Sequence, residues 1–156
     1  MKPENFILAD EWMQLYLEKI QAGQKLRISP VGYSMIPLLT GKKDEVVLGR
    51  IDTPLRSGDI CLFRRDSGTY VLHTLHHIDH AGGYYFIGDS QTQIEGPLRR
   101  EQVIARADSY IRKGREHSCS AAGFRVMHQI WLKLRIIRPF LLEMYGTYHK
   151  LKKSIR

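Results

Sequence analysis

The sequence predicts a mainly β protein, a compact domain of short strands with a helix before it and an amphipathic helix after it. Three observations predict this. Short apolar runs such as Ile60-Cys61-Leu62-Phe63 and Tyr84-Tyr85-Phe86-Ile87 are separated by turns carrying Gly, Asp or Ser. Apolar residues fall at helical spacing near both ends of the chain. A length of 156 residues, 43% apolar and 26% charged, suits a single domain with a substantial core.

Taken in order, Leu8, Trp12, Leu15, Tyr16 and Ile20 recur with a helical period, which predicts a helix over 8–22. Asp10 and Glu11 suit its N-terminal end, and Gly23 a stop. The period then changes. Leu26 and Ile28, with Val31, read as a short strand running into Gly32-Tyr33-Ser34-Met35-Ile36-Pro37. After the turn Thr40-Gly41-Lys42, residues 45–48 read as a second strand. The turn Arg56-Ser57-Gly58-Asp59 precedes a buried strand over 60–63. Residues 69–78 and 84–87 flank Ala81-Gly82-Gly83 as a hairpin. Residues 102–111 read as a last strand, with helix as the alternative. From Ala121 the helical period returns through Phe124, Met127, Trp131, Leu134, Leu141, Tyr145 and Tyr148, and Pro139 should end or kink that helix near Arg138. The expected division is a helical segment over 1–24, a β domain over 25–113 and a basic helical tail over 114–156.

Charge is unevenly placed. Residues 112–156 hold eleven Lys/Arg against Glu116 and Glu143, a net +9, whereas residues 1–111 hold 13 Lys/Arg and 14 Asp/Glu, a net −1. A localised basic tail points to an anionic partner, membrane surface or nucleic acid, or to a solvated face. We expect reversible contact between the 121–148 helix and an anionic membrane. The alternative is a helix that packs its apolar stripe on the β body or on a second subunit. The N-terminus lacks a basic start followed by an apolar stretch, and no uncharged apolar run of about 18 residues exists. The expectation is a cytoplasmic chain, peripheral at most to the inner face of the membrane. Cys61 and Cys119 offer no disulfide framework, and Cys61 reads as a small buried hydrophobe.

The candidate chemistry lies in an ordered set of short motifs. Gly32 permits backbone angles that a residue with Cβ resists, and Pro37 fixes its own φ, so Ser34 sits in a constrained turn. Such a serine is either a nucleophile held in one direction or ordinary turn chemistry. Downstream, His73-Thr74-Leu75-His76-His77-Ile78-Asp79-His80 carries four histidines. On a helix all four would share a face and suit zinc; on a strand His73 and His77 face one way and His76 and His80 the other. The flanking residues favour the strand, so no metal site is expected. His73 has the most apolar flanks, which favour the neutral imidazole a general base needs. Asp89 in Gly88-Asp89 and Glu95 beyond it are the two carboxylates that could orient that ring.

Together these residues resemble the serine peptidase superfamily that holds the signal peptidases and the LexA-type self-cleaving repressors. The resemblance covers about residues 25–107: the serine hexapeptide, Ser57-Gly58-Asp59-Ile60-Cys61-Leu62-Phe63, Val71-Leu72-His73, Gly88-Asp89, and Val103-Ile104-Ala105-Arg106. It implies the compact β domain of that superfamily. With His73 at the base position the chain is similar to the branch that uses Ser and His with an acid, found in archaea and the endoplasmic reticulum. By that resemblance Ser34 is the nucleophile, His73 the general base, and Glu95, then Asp89, the candidate acid. Thr74 stands where that branch usually has arginine, Ser90-Gln91 where asparagine usually follows, and Glu95 where aspartate is expected. The transmembrane anchor of signal peptidases has no counterpart here.

The resemblance implies a serine endopeptidase that cleaves a peptide or protein precursor through an acyl-enzyme, without a cofactor and without a nucleic-acid partner. The alternative is a catalytically inactive binding or regulatory module on the same fold. A DNA-binding repressor is a distant third, because no helix-turn-helix precedes the domain and no lysine replaces His73.

Overall fold

The computed structural model describes residues 4–40 and 43–154, with side-chain surroundings in the terminal helices from Trp12 to Tyr148. Gly41 and Lys42 of the expected turn, and the side chains of Leu8, Asp10 and Glu11, lie outside the described residues. Eight antiparallel strands form one sheet: β1 (Leu26–Ile28), β2 (Glu45–Gly49), β3 (Ile60–Arg64), β4 (Tyr70–Ile78), β5 (Tyr84–Ile87), β6 (Glu95–Leu98), β7 (Val103–Arg112) and β8 (Arg115–Ser118). The strand order is β1-β2-β7-β3-β4-β5-β6, with β8 added on β7. Three helices complete the chain: α1 (Glu4–Gln21), α2 (Ala122–Lys133) and α3 (Arg138–Ser154). A mainly β domain flanked by helices is therefore present, and the expected last strand forms as Val103–Arg112, with Gln102 in a single 3-10 turn before it.

Side-chain alternation divides the core. On β3, Ile60 and Leu62 join Val46, Leu48, Leu72, Ala105 and the helix residue Ile20 in one cluster. Cys61 and Phe63 belong to the other, with Leu75, Phe86 and Val103. The Phe63 and Phe86 rings stack with centroids 4.6 Å apart. The β4–β5 hairpin closes through Asp79, whose Oδ1 accepts from the amides of Ala81 and Gly83 at 2.9 and 2.8 Å, with Gly82 at φ 84°.

The 114–156 segment differs from the expected tail. Residues 115–118 form β8, so the sheet continues past residue 113. The reason is the two-residue turn Lys113-Gly114, with φ of 52° and 74°, which joins Arg112 to its partner Arg115. Positive φ at both turn residues matches the right-handed twist of a hairpin. Beyond it the helix expected to end or kink at Pro139 near Arg138 is two helices: α2 stops at Lys133, and Pro139 is the second residue of α3. Its missing N–H costs nothing in a first turn. A strict strand alternation also fails at β4, where a bulge between Leu75 and His77 interrupts the register with β5. His76 and His77 consequently meet, Nδ1 to Nδ1 at 2.9 Å, instead of facing opposite ways. No cluster able to hold a metal ion occurs among the described residues.

Candidate functional site

The serine turn is fastened from two sides. Behind it, the Ser90 amide donates to the Ser34 carbonyl at 2.9 Å, and Ser90 Oγ to the Tyr33 carbonyl at 3.0 Å. Beyond Pro37, the Arg112 guanidinium donates to the Pro37 carbonyl at 2.9 Å and pairs with buried Asp44 at 3.0 Å. Asp44 also takes the Thr40 amide and hydroxyl at 2.8 and 2.9 Å. Gly32 has φ 103°, which realises the left-handed geometry that a glycine at this point permits. Ser34 is half-buried, between the exposed side chain of Tyr33 and buried Met35.

Gly88 is dictated by close approach. A Cβ there would lie 2.7 Å from the Ser34 carbonyl oxygen, a backbone atom that cannot swing aside. We expect Gly88→Ala to destabilise the fold by about 2 kcal/mol, by forcing the two turns apart. Thermal unfolding checks this, and an unchanged Tm would show that the turns separate freely.

His73 lies on β4 opposite Cys61, almost wholly buried, with its ring edge-on to Phe63. Its Nδ1 is buried without a hydrogen-bond partner and stands 3.8 Å from Glu95 Oε2. That exceeds hydrogen-bond length. Glu95 is instead gripped by Arg65, whose Nε and Nη2 donate to the two carboxylate oxygens at 2.5 and 2.8 Å. Burial pushes the His73 imidazole down from 6.5 to about 4; the Glu95 carboxylate opposes this and Arg65 adds to it.

A pH dependence follows from that shift. The unfolded chain protonates His73 near 6.5 and the folded chain near 4, so the unfolded state binds the extra proton in between. Stability should therefore fall as pH drops through that window, by about 3 kcal/mol at its lower end. Urea unfolding at several pH values should show this loss in the native chain and a smaller one in His73→Phe. Equal losses would contradict the assignment.

Asp89, the second candidate acid, serves elsewhere. Its buried carboxylate accepts from Thr74 Oγ1 at 2.9 Å and meets His128 Nε2 at 3.2 Å through both oxygens. His128 comes from α2, and its Nδ1 lies 3.1 Å from the Gly58 carbonyl. Both ring nitrogens thus face oxygen atoms of the body. Trp131 Nε1 donates to the Asp89 carbonyl at 2.9 Å, while fully buried Arg138 donates to the Gly88 and Gln91 carbonyls at 3.1 and 3.0 Å. No ion pair joins Asp89 to His73 among the described residues.

The loop from Gly88 to Glu95 is therefore the common element. One end holds the Ser34 backbone through Ser90, the other presents Glu95 to His73, and α2 and α3 hold it from behind. Ser34 Oγ makes no hydrogen bond to His73 among the described residues. A cavity of about 510 Å³ borders this loop, lined by residues 90–95 with Arg65 and Pro139. Sequence reasoning missed Ser90, Arg112, His128 and Arg138. Only the Gly-Asp turn signalled that something must anchor it. No protein-family model matches the chain, and a search of curated proteins gives no significant match.

Proposed function

We propose that the chain is a serine endopeptidase of signal-peptidase type, on the compact β domain that signal peptidases share with LexA-type repressors. Its substrate is a peptide or protein precursor met in the cytoplasm. The observation that carries this reading is the buried, unpartnered Nδ1 of His73 facing Glu95. A buried polar atom without a partner is costly, and such sites are retained where a working geometry needs them. With Nδ1–H turned to Glu95, Nε2 is left as the acceptor for a serine proton. Glu95 needs to move about 1 Å to close that hydrogen bond, and catalytic contacts commonly tighten only with substrate bound.

In the mechanism, His73 takes the proton of Ser34 Oγ as the oxygen attacks the scissile carbonyl. Glu95 stabilises the imidazolium that forms. The Ser34 amide, which makes no hydrogen bond among the described residues, is the candidate donor to the developing oxyanion. Collapse expels the amine with the proton returned by His73, and water then releases the acyl group. Extended peptide can add to the sheet edge as a further strand.

The second reading is an inactive binding module, favoured by the grip of Arg65 on Glu95. Digestion of a proteome-derived peptide library, read by mass spectrometry, separates the two. The native chain should generate new termini that Ser34→Ala does not. Identical termini from both, or none from either, would end the peptidase reading.

The two carboxylates should behave differently. Glu95→Gln keeps the size and removes the charge, and should lower kcat/KM about 100-fold or more. Asp89→Asn should instead lower stability by about 2 kcal/mol, because the amide keeps one acceptor oxygen but replaces the other, and the negative charge, with an NH2 donor facing His128 and Thr74. The reverse pattern would make Asp89 the acid.

A further inference from the structure

We propose that the outer face of α2 and α3 docks on an anionic lipid surface. The contact between α2 and the body is mixed, whereas an ordinary surface helix buries an apolar stripe and leaves the rest polar. Inward go His128, Gln129 to the Ser57 carbonyl at 2.5 Å, and Arg125 to Asp59 at 3.0 Å, along with Phe124, Leu132 and the Trp131 indole. Outward go Val126, Met127 and Ile130, each more than half exposed. The display continues through Ile136, 81% exposed, to Phe140 and Met144 one turn apart on α3. This helix pair meets the domain through polar groups together with Phe124 and Leu132, and turns the remaining large apolar side chains to the outside.

What covers that face is decided by charge. Residues 122–156 hold eight Lys/Arg and one acidic residue, Glu143. Arg125 and Arg138 are consumed internally, by Asp59 and by backbone carbonyls. Arg135 reaches the Thr92 carbonyl at 3.4 Å, and the sequence of the segment adds Lys133, Lys150, Lys152, Lys153 and Arg156. A second copy seated on the same face would bring two such basic segments together. A bilayer with anionic headgroups complements them, and its acyl boundary accepts the apolar side chains. Exposed apolar side chains in a lysine-rich helical segment are the composition of helices that lie in the plane of an interface. No described helix is long and apolar enough to cross the membrane, so the contact is peripheral.

The test uses the full chain and co-sedimentation with vesicles of phosphatidylcholine, alone or mixed with phosphatidylglycerol. Binding to the mixed vesicles at low salt, and little to the neutral ones, is expected. Lys133→Gln with Lys150→Gln should weaken binding roughly 25-fold, at about fivefold for each charge near the surface. Ile130→Gln with Phe140→Gln should weaken it at least about tenfold. Both side chains are exposed, so circular dichroism and Tm should stay unchanged and separate lost docking from lost folding. Absence of binding to either vesicle at low salt would overturn the proposal. So would equal binding to both vesicles, or a concentration-dependent dimer that Ile130→Gln with Phe140→Gln dissolves.

Discussion

Replacing Ser34 with alanine is expected to lower kcat/KM on any cleaved peptide by about 10³-fold or more while leaving the fold intact. The side chain is half-buried, and the contacts that hold its turn are backbone ones: the Ser34 and Tyr33 carbonyls to Ser90, and the Pro37 carbonyl to Arg112. The hydroxyl contributes little to structure, so its loss should be felt in chemistry alone. His73→Ala should cost a similar factor, and the double variant little more, because two groups that act as one unit are not additive. Rates measured on one peptide from the library, for all four combinations, check this. Independent effects that multiply would show that Ser34 and His73 do not act on the same step.

Arg138→Ala is expected to be the most destabilising of the structural substitutions, at about 3 kcal/mol. The guanidinium is fully buried and supplies donors to the carbonyls of Trp131, Gly88 and Gln91. Truncation strands three acceptors and removes the cation lying 5.4 Å over the Trp131 ring. Arg138→Lys should recover only part of the loss, since an ammonium cannot span carbonyls set around a planar fork. Urea unfolding measures both. A loss below about 0.5 kcal/mol for Arg138→Ala would place the guanidinium outside the stabilising contacts. Through Gly88 and Gln91 the same substitution should also loosen the loop that fastens Ser34, so activity should fall along with stability.

Much of the strand pattern was legible because it rests on local signals. The apolar run 60–63 and the hairpin around Gly82 need only alternation and turn chemistry, and they fold as strands. β8 was not legible because the Lys113-Gly114 turn is embedded in a basic stretch, and its flanking residues Arg115 to Ser118 are exposed and polar. Alternation has no apolar residues to mark there. At the site, the placement of Glu95 rather than Asp89 near His73 depends on the path of the loop between β5 and β6, which spacing does not encode. His128 was invisible for a related reason. It lies 39 residues from Asp89 and on a helix whose sequence pattern advertises its apolar face, whereas the packed face mixes apolar residues with polar ones. Arg138 gave the opposite signal, because a lone arginine beside a proline reads as a solvated helix end, not as the buried cation that ties the tail to the domain.

The central claim is that Ser34 Oγ becomes covalently acylated. Acid quenching of the chain during turnover of an activated peptide ester, followed by mass spectrometry of its proteolytic fragments, tests this most directly. The expected result is an acyl adduct on Ser34, absent from Ser34→Ala and much slower to form in His73→Ala. An adduct on another residue, or the same yield from Ser34→Ala, would contradict it.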